Sequence, residues 1–156
     1  MPAPQLLAAL GAAAMLVACS STPEPEASTA GAGSGTIRPG SQEDLVANIG
    51  DRVFFDTDRS TIRADQRAVL ERQSRWMGQY PAGQVMVEGH ADERGTREYN
   101  LALSQRRANS ARDLLVAGGV AGTRIQTISY GKDRPDALGS NEESWARNRR
   151  AVTVVR

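Results

Sequence analysis

The sequence predicts an α/β sandwich, with helices packed on a small sheet, behind an N-terminal processing segment and a linker. Two observations carry this. Short runs rich in Val, Ile, Phe and Tyr recur after residue 50, and stretches with apolar residues at helical spacing lie between them. The chain has 156 residues, enough for one compact domain after those N-terminal segments. Hydrophobic content of 40% and charged content of 24% suit a globular fold, and a formal charge of +1 gives no bulk attraction to nucleic acid.

Residues 6–17 form an apolar run too short to span a bilayer, which takes roughly 20 residues, and fit the core of a signal peptide. The run ends Leu16-Val17-Ala18-Cys19, so 1–18 is read as a signal peptide. The only cysteine stands where a lipobox would place its lipidated residue. No Lys or Arg precedes it, which departs from the usual basic start. Residues 19–40 are rich in Ser, Thr, Pro, Ala and Gly without apolar periodicity, and read as a flexible tether with a reach of roughly 25 Å.

The domain is expected over 41–156. Residues 52–55 (Arg-Val-Phe-Phe) read as a first strand, with Asp56-Thr57-Asp58 at its exit. Ile62, Val69, Leu70, Trp76, Met77 and Tyr80 share a helical face that stops before Pro81. Residues 84–89 read as a second strand, 91–96 as a polar turn, and 97–117 as a long helix ended by Gly118-Gly119. A third strand at 125–130, a short helix near 141–147 and a last strand at 151–155 complete the pattern.

The long helix contains an anomaly. Leu101, Leu103, Ala108, Ala111, Leu114 and Leu115 cover an arc of roughly 160°, and Arg107 falls inside it. A guanidinium on an apolar face must find partners, because a lone buried charge costs several kcal/mol. Two readings stay open: a structural bridge (to Asp92 above all) or a clamp on carbonyls, and a contact to a ligand. Asp56 and Asp92 lie at strand exits, where ligands of α/β sheets tend to sit. An acid and an arginine converging there could grip a zwitterion, the carboxylate taking an ammonium and the fork a carboxylate.

Residues 89–108, Gly-His-Ala-Asp-Glu-Arg-Gly-Thr-Arg-Glu-Tyr-Asn-Leu-Ala-Leu-Ser-Gln-Arg-Arg-Ala, closely resemble the core signature of OmpA-like peptidoglycan-binding domains. The likeness extends to Val53-Phe54-Phe55-Asp56, Ser129-Tyr130-Gly131-Lys132 and Asn148-Arg149-Arg150-Ala151-Val152, and spans about residues 45–156. With a lipobox upstream, the chain as a whole resembles the peptidoglycan-associated lipoproteins of Gram-negative envelopes. That resemblance implies a small mixed four-stranded sheet carrying two main helices. It implies noncovalent binding of the diaminopimelate-containing stem peptide of peptidoglycan by Phe55, Asp56, Asp92, Thr96, Asn100, Leu103 and Arg107, with no cofactor. It further implies lipidation at Cys19, anchoring in the outer membrane with the domain in the periplasm, and partnership with TolB and other Tol proteins in envelope integrity and cell division.

The rival class is a hydrolase built on Glu88, His90 and Asp92, which alternation places on one side of the chain. A metal there would lack further ligands, since His90 is the only histidine, and no Gly-x-Ser-x-Gly elbow is present. His90 otherwise reads as a hydrogen-bonded turn residue. A wall-anchoring domain of a flagellar stator or a porin would need a transmembrane helix or a β-barrel ahead of it.

Overall fold

The computed structural model describes residues 36–156. The expected signal peptide, Cys19 and most of the expected linker lie outside the described residues. Ser41 opens the folded chain by accepting a hydrogen bond on its hydroxyl from the Asp44 amide. The helical segment it caps, α1, is α-helical over Gln42–Asp44 and widens to a π-helical turn over Leu45–Ile49. It was not anticipated from the sequence. Asp44 fixes it by accepting from the Gly40 amide, Asn48 Nδ2 and Trp76 Nε1.

The remaining elements follow the expected order. They are β1 (Arg52–Phe54), α2 (Ala64–Gln79), β2 (Val85–Gly89), α3 (Arg97–Ala117), β3 (Ile125–Ser129), α4 (Glu142–Asn148) and β4 (Arg150–Val155). Ile62 is buried but lies ahead of α2 rather than within it. β1 stops one residue before the expected end, though the Phe55 amide still donates to the Arg149 carbonyl at 2.9 Å. The sheet runs β1-β4-β2-β3. β4 is antiparallel to both neighbours, and β2 and β3 are parallel with α3 as their crossover, so the sheet is mixed as expected.

Alternation along β2 turns Val85 and Val87 inward, against Ala108, Ala111 and Leu115 of α3 and Leu70, Trp76 and Met77 of α2. The small residues on α3 let it lie close to the sheet. At Gly89 a Cβ would collide with the backbone carbonyl of Ser104. α3 ends in a Schellman turn, with the amides of Gly119 (φ +97°) and Val120 donating to the carbonyls of Val116 and Leu115. This geometry points the N-terminus of α3, the exit of β1 and the end of β2 at one edge of the domain.

Candidate functional site

Thr96 caps α3, its hydroxyl accepting from the Tyr99 amide at 3.2 Å. Asn100, one turn on, is buried and donates through Nδ2 to the carbonyls of Arg94 (2.7 Å) and Thr96 (3.1 Å). These bonds shape the 94–96 loop. The chain's only lysine, Lys132, holds the same loop from outside by donating to the carbonyls of Glu93 (3.1 Å) and Gly95 (2.8 Å). Leu103 is buried next along this face, outside the main core cluster, and Arg107 follows it.

Arg107 has no exposed surface. It donates from Nε to the carbonyl of Arg59 at 2.8 Å, from Nη1 to that of His90 at 2.9 Å, and from Nη2 to that of Asp56 at 3.1 Å. The bridge to Asp92 is thus not formed, and the clamp on carbonyls is. A guanidinium has five N–H donors, and the remaining two find no acceptor among the described residues. Burial pushes its pKa down to about 10, against the pull of the nearby Asp92 carboxylate, so it is a cation at neutral pH. The Phe55 ring lies 5.2 Å from its Cζ.

Asp92 is tied instead to two other arginines. Its Oδ1 accepts from the Arg94 amide (3.1 Å) and Nε (3.2 Å), and its Oδ2 accepts from Arg94 Nη2 (2.7 Å) and Arg149 Nη1 (3.5 Å). Burial raises its pKa, but the Arg94 side chain and amide outweigh that and hold the carboxyl below its ordinary range. Arg149 also donates to the Phe55 carbonyl at 3.0 Å and to Glu142 at 2.6 Å, which joins the exit of β1 to α4.

Asp56 does not converge with Asp92. Its side chain is 62% exposed and reaches toward Arg63 at 3.6 Å, and only its carbonyl serves the Arg107 clamp. The acid that faces Asp92 is Asp58. A 260 Å³ cleft is lined by Thr57, Asp58, Asp92, Arg94, Gly95 and Tyr99. Asp58 has φ +55°, the left-handed region, a conformation that costs of order 1 kcal/mol or more in a non-glycine residue. Its Oδ1 accepts from the Tyr99 hydroxyl at 3.3 Å, and it enters no salt bridge among the described residues. Sequence reasoning passed over Asp58, Arg94, Tyr99 and Arg149. Asp58 stood beside Asp56 in the strand-exit triplet, and Arg94 and Arg149 stood inside the quoted motifs.

His90 is buried, its ring 5.6 Å from that of Tyr130. Burial, reinforced by Arg150, lowers its pKa to about 4, so it is neutral at pH 7. Its Nε2 is 3.8 Å from Glu88, while Asp92 is committed to Arg94 and Arg149, so the three do not form one cluster. Among the described residues there is no group of three or more His, Cys, Asp or Glu placed to hold a metal. No helix there is long and apolar enough to cross a membrane.

The model of the OmpA family matches residues 54–149. A peptidoglycan-associated lipoprotein of Mesorhizobium japonicum is 53% identical over 152 residues, covering 96% of this chain and 90% of the relative. One of Rhizobium meliloti is 55% identical over 130 residues, covering 83% and 74%. The crystal structure of the peptidoglycan-associated lipoprotein from Burkholderia pseudomallei superposes with a TM-score of 0.68 at 36% identity, covering 72% of this chain and all of that one. A family model over most of the folded domain and relatives above 50% identity along nearly all of the sequence lead to one conclusion: the chain belongs to the OmpA family, among the peptidoglycan-associated lipoproteins.

Proposed function

We propose that the domain binds peptidoglycan noncovalently by receiving the zwitterionic tip of diaminopimelate in the stem peptide, and that it catalyses no reaction. The observation that carries this is the cleft itself. It brings an unbridged carboxylate, Asp58, into one lining with Asp92 and Arg94, and the buried Arg107 cation is close enough to feel the charge of both acids. An ammonium finds its counter-charge at the acids, and a carboxylate finds charge-assisted donors on the guanidiniums. Of the residues the resemblance named, Asp92 is the second acid and Arg107 the buried cation behind it. Thr96 and Asn100 hold the rim, and Leu103 and Phe55 give apolar support. Asp56 acts through its carbonyl, with Asp58 taking the acidic role at the exit of β1.

The wider role follows from the sequence and from the relatives' names. Residues 1–18 serve as a signal peptide, Cys19 carries lipid in the outer membrane, and the chain to about residue 40 lets the periplasmic domain reach the wall. Several acyl chains make such an anchor stable, each buried methylene contributing about 0.8 kcal/mol. In this reading the protein tethers the outer membrane to peptidoglycan, partners TolB and other Tol proteins, and supports envelope integrity and division.

Cosedimentation with purified sacculi tests the binding. The full chain bearing Cys19→Ser is expected to pellet saturably and to be released by meso-diaminopimelate, and Asp58→Asn to weaken retention at least tenfold. A folded protein that stays in the supernatant at every sacculus concentration would remove the proposal.

A further inference from the structure

The Asp92 carboxylate has about four acceptor positions, and all of them are taken by protein donors. An ammonium group arriving at Asp92 therefore meets a carboxylate already neutralised, and gains nothing unless a donor leaves. Arg149 is buried and tied at three points, so it is not the one to go. Arg94 is different. Its side chain is 38% exposed, and it sits in the cleft wall.

Arg94 also has a prepared place to rest. Its Cζ lies 4.1 Å from the centre of the Trp145 ring, and Trp145 is held by its Nε1 donating to Glu93 Oε1 at 3.0 Å. The stack on Trp145 does not depend on Asp92, so the guanidinium can leave the carboxylate and remain supported.

Building on the reading of the cleft as a diaminopimelate site, we infer that Arg94 is a displaceable counter-ion that sets selectivity for a zwitterionic tip over a simple amine. A ligand bearing only an ammonium displaces Arg94 from Asp92 and leaves the guanidinium unpaired. A ligand whose tip carries both an ammonium and a carboxylate completes the exchange: the ammonium takes the acid, and the carboxylate takes the freed arginine. Every charge keeps a counter-charge in the second case, and a cation is stranded in the first. Diaminopimelate has such a tip. A lysine joined into the stem peptide through its α-ammonium and α-carboxyl groups offers only its ε-ammonium and does not.

Trp145 supplies the readout. Tryptophan emission is followed in the full chain bearing Cys19→Ser during titration with a stem tetrapeptide carrying meso-diaminopimelate and with the same tetrapeptide carrying L-lysine, and Trp145→Phe assigns the signal between the two tryptophans. The wild type is expected to prefer diaminopimelate and to change its Trp145 emission on binding it. Arg94→Gln should bring the two affinities together by at least tenfold, chiefly by weakening diaminopimelate, while lysine binds as well as before or better. Arg94→Lys should restore part of the preference, since it keeps the charge without the fork. Thermal unfolding confirms that each variant is folded. Equal loss for both ligands in Arg94→Gln, or an unchanged ratio, would overturn the inference while leaving the site in place. Failure of the wild type to bind diaminopimelate would remove the reading of the cleft and this inference together.

Discussion

Replacing Arg107 by alanine perturbs the fold and the site together, and the structure allows the two to be separated in magnitude. The side chain makes three charge-assisted hydrogen bonds to the carbonyls of Asp56, Arg59 and His90. Each such bond is worth about 1.5–3 kcal/mol, a gross contribution on the order of 5–9 kcal/mol. Against it stands the cost of keeping a guanidinium out of water, several kcal/mol, which the substitution removes. The net expectation is a destabilisation of about 2–4 kcal/mol, roughly a third of the stability of a domain this size. That corresponds to a fall in Tm of about 10 °C. Urea denaturation followed by circular dichroism measures it, with Arg107→Lys retaining the charge but at most part of the loss. Because the clamped carbonyls belong to the exit of β1 and the turn after β2, ligand affinity in Arg107→Ala should fall at least tenfold even where the protein is fully folded. An unfolding free energy within about 0.5 kcal/mol of wild type would refute the account of Arg107 as the tie between these segments.

Three other outcomes follow from the same geometry. His90 titrates near 6.5 when unfolded and near 4 when folded, so below pH 6.5 the unfolded state binds the extra proton and stability falls. The loss should reach about 2 kcal/mol by pH 5 and be absent over that range in His90→Asn, and an equal pH slope in that variant would exclude His90 as its source. The carboxyls of Asp92 and Asp136 are held below their ordinary value of 3.8 and those of Glu43 and Glu93 below 4.5, so their contribution fades as pH falls through those values and leaves the window from about 5 to 6.5 to His90. Gly89→Ala should cost about 3 kcal/mol or more, because α3 cannot retreat from β2 without unpacking Ala108, whereas Gly83→Ala, with its nearest neighbour at 3.5 Å, should cost less than about 1 kcal/mol. Asn100→Ala should speed amide exchange at Gly95 and Thr96 more than in the core strands, since it frees the loop carbonyls that Asn100 holds; uniform protection would show that the loop is fixed by Lys132 alone.

Much of the fold is legible because its elements carry strong periodic signals. α3 shows a wide apolar arc closed by two glycines, β2 alternates cleanly, and α2 ends at a proline. α1 was missed because a single α-helical turn opening into a π-helical one buries only Asp44 and Leu45, too few residues to show a period. Helical phase marked Arg107 as out of place, but phase tells which face a residue occupies and not what it meets there. Backbone carbonyls, which no side-chain pattern reveals, turned out to be its partners. Asp56 was favoured over Asp58 by adjacency to the strand. Alternation stops at the strand's end, and the left-handed turn at Asp58 carries that carboxylate, rather than its neighbour's, into the cleft. The pairing of Asp92 with Arg94, two residues along the loop, is set by loop conformation and leaves no periodic trace.

On the proposed reading, the cleft between the exit of β1 and the start of α3 receives the diaminopimelate of peptidoglycan. Backbone-amide NMR titration with a muropeptide stem carrying meso-diaminopimelate tests it most directly. The account predicts saturable shifts concentrated at residues 57–58, 92–96 and 99, displaced by free meso-diaminopimelate. Saturable shifts on another face of the domain, with these amides unmoved, would contradict it.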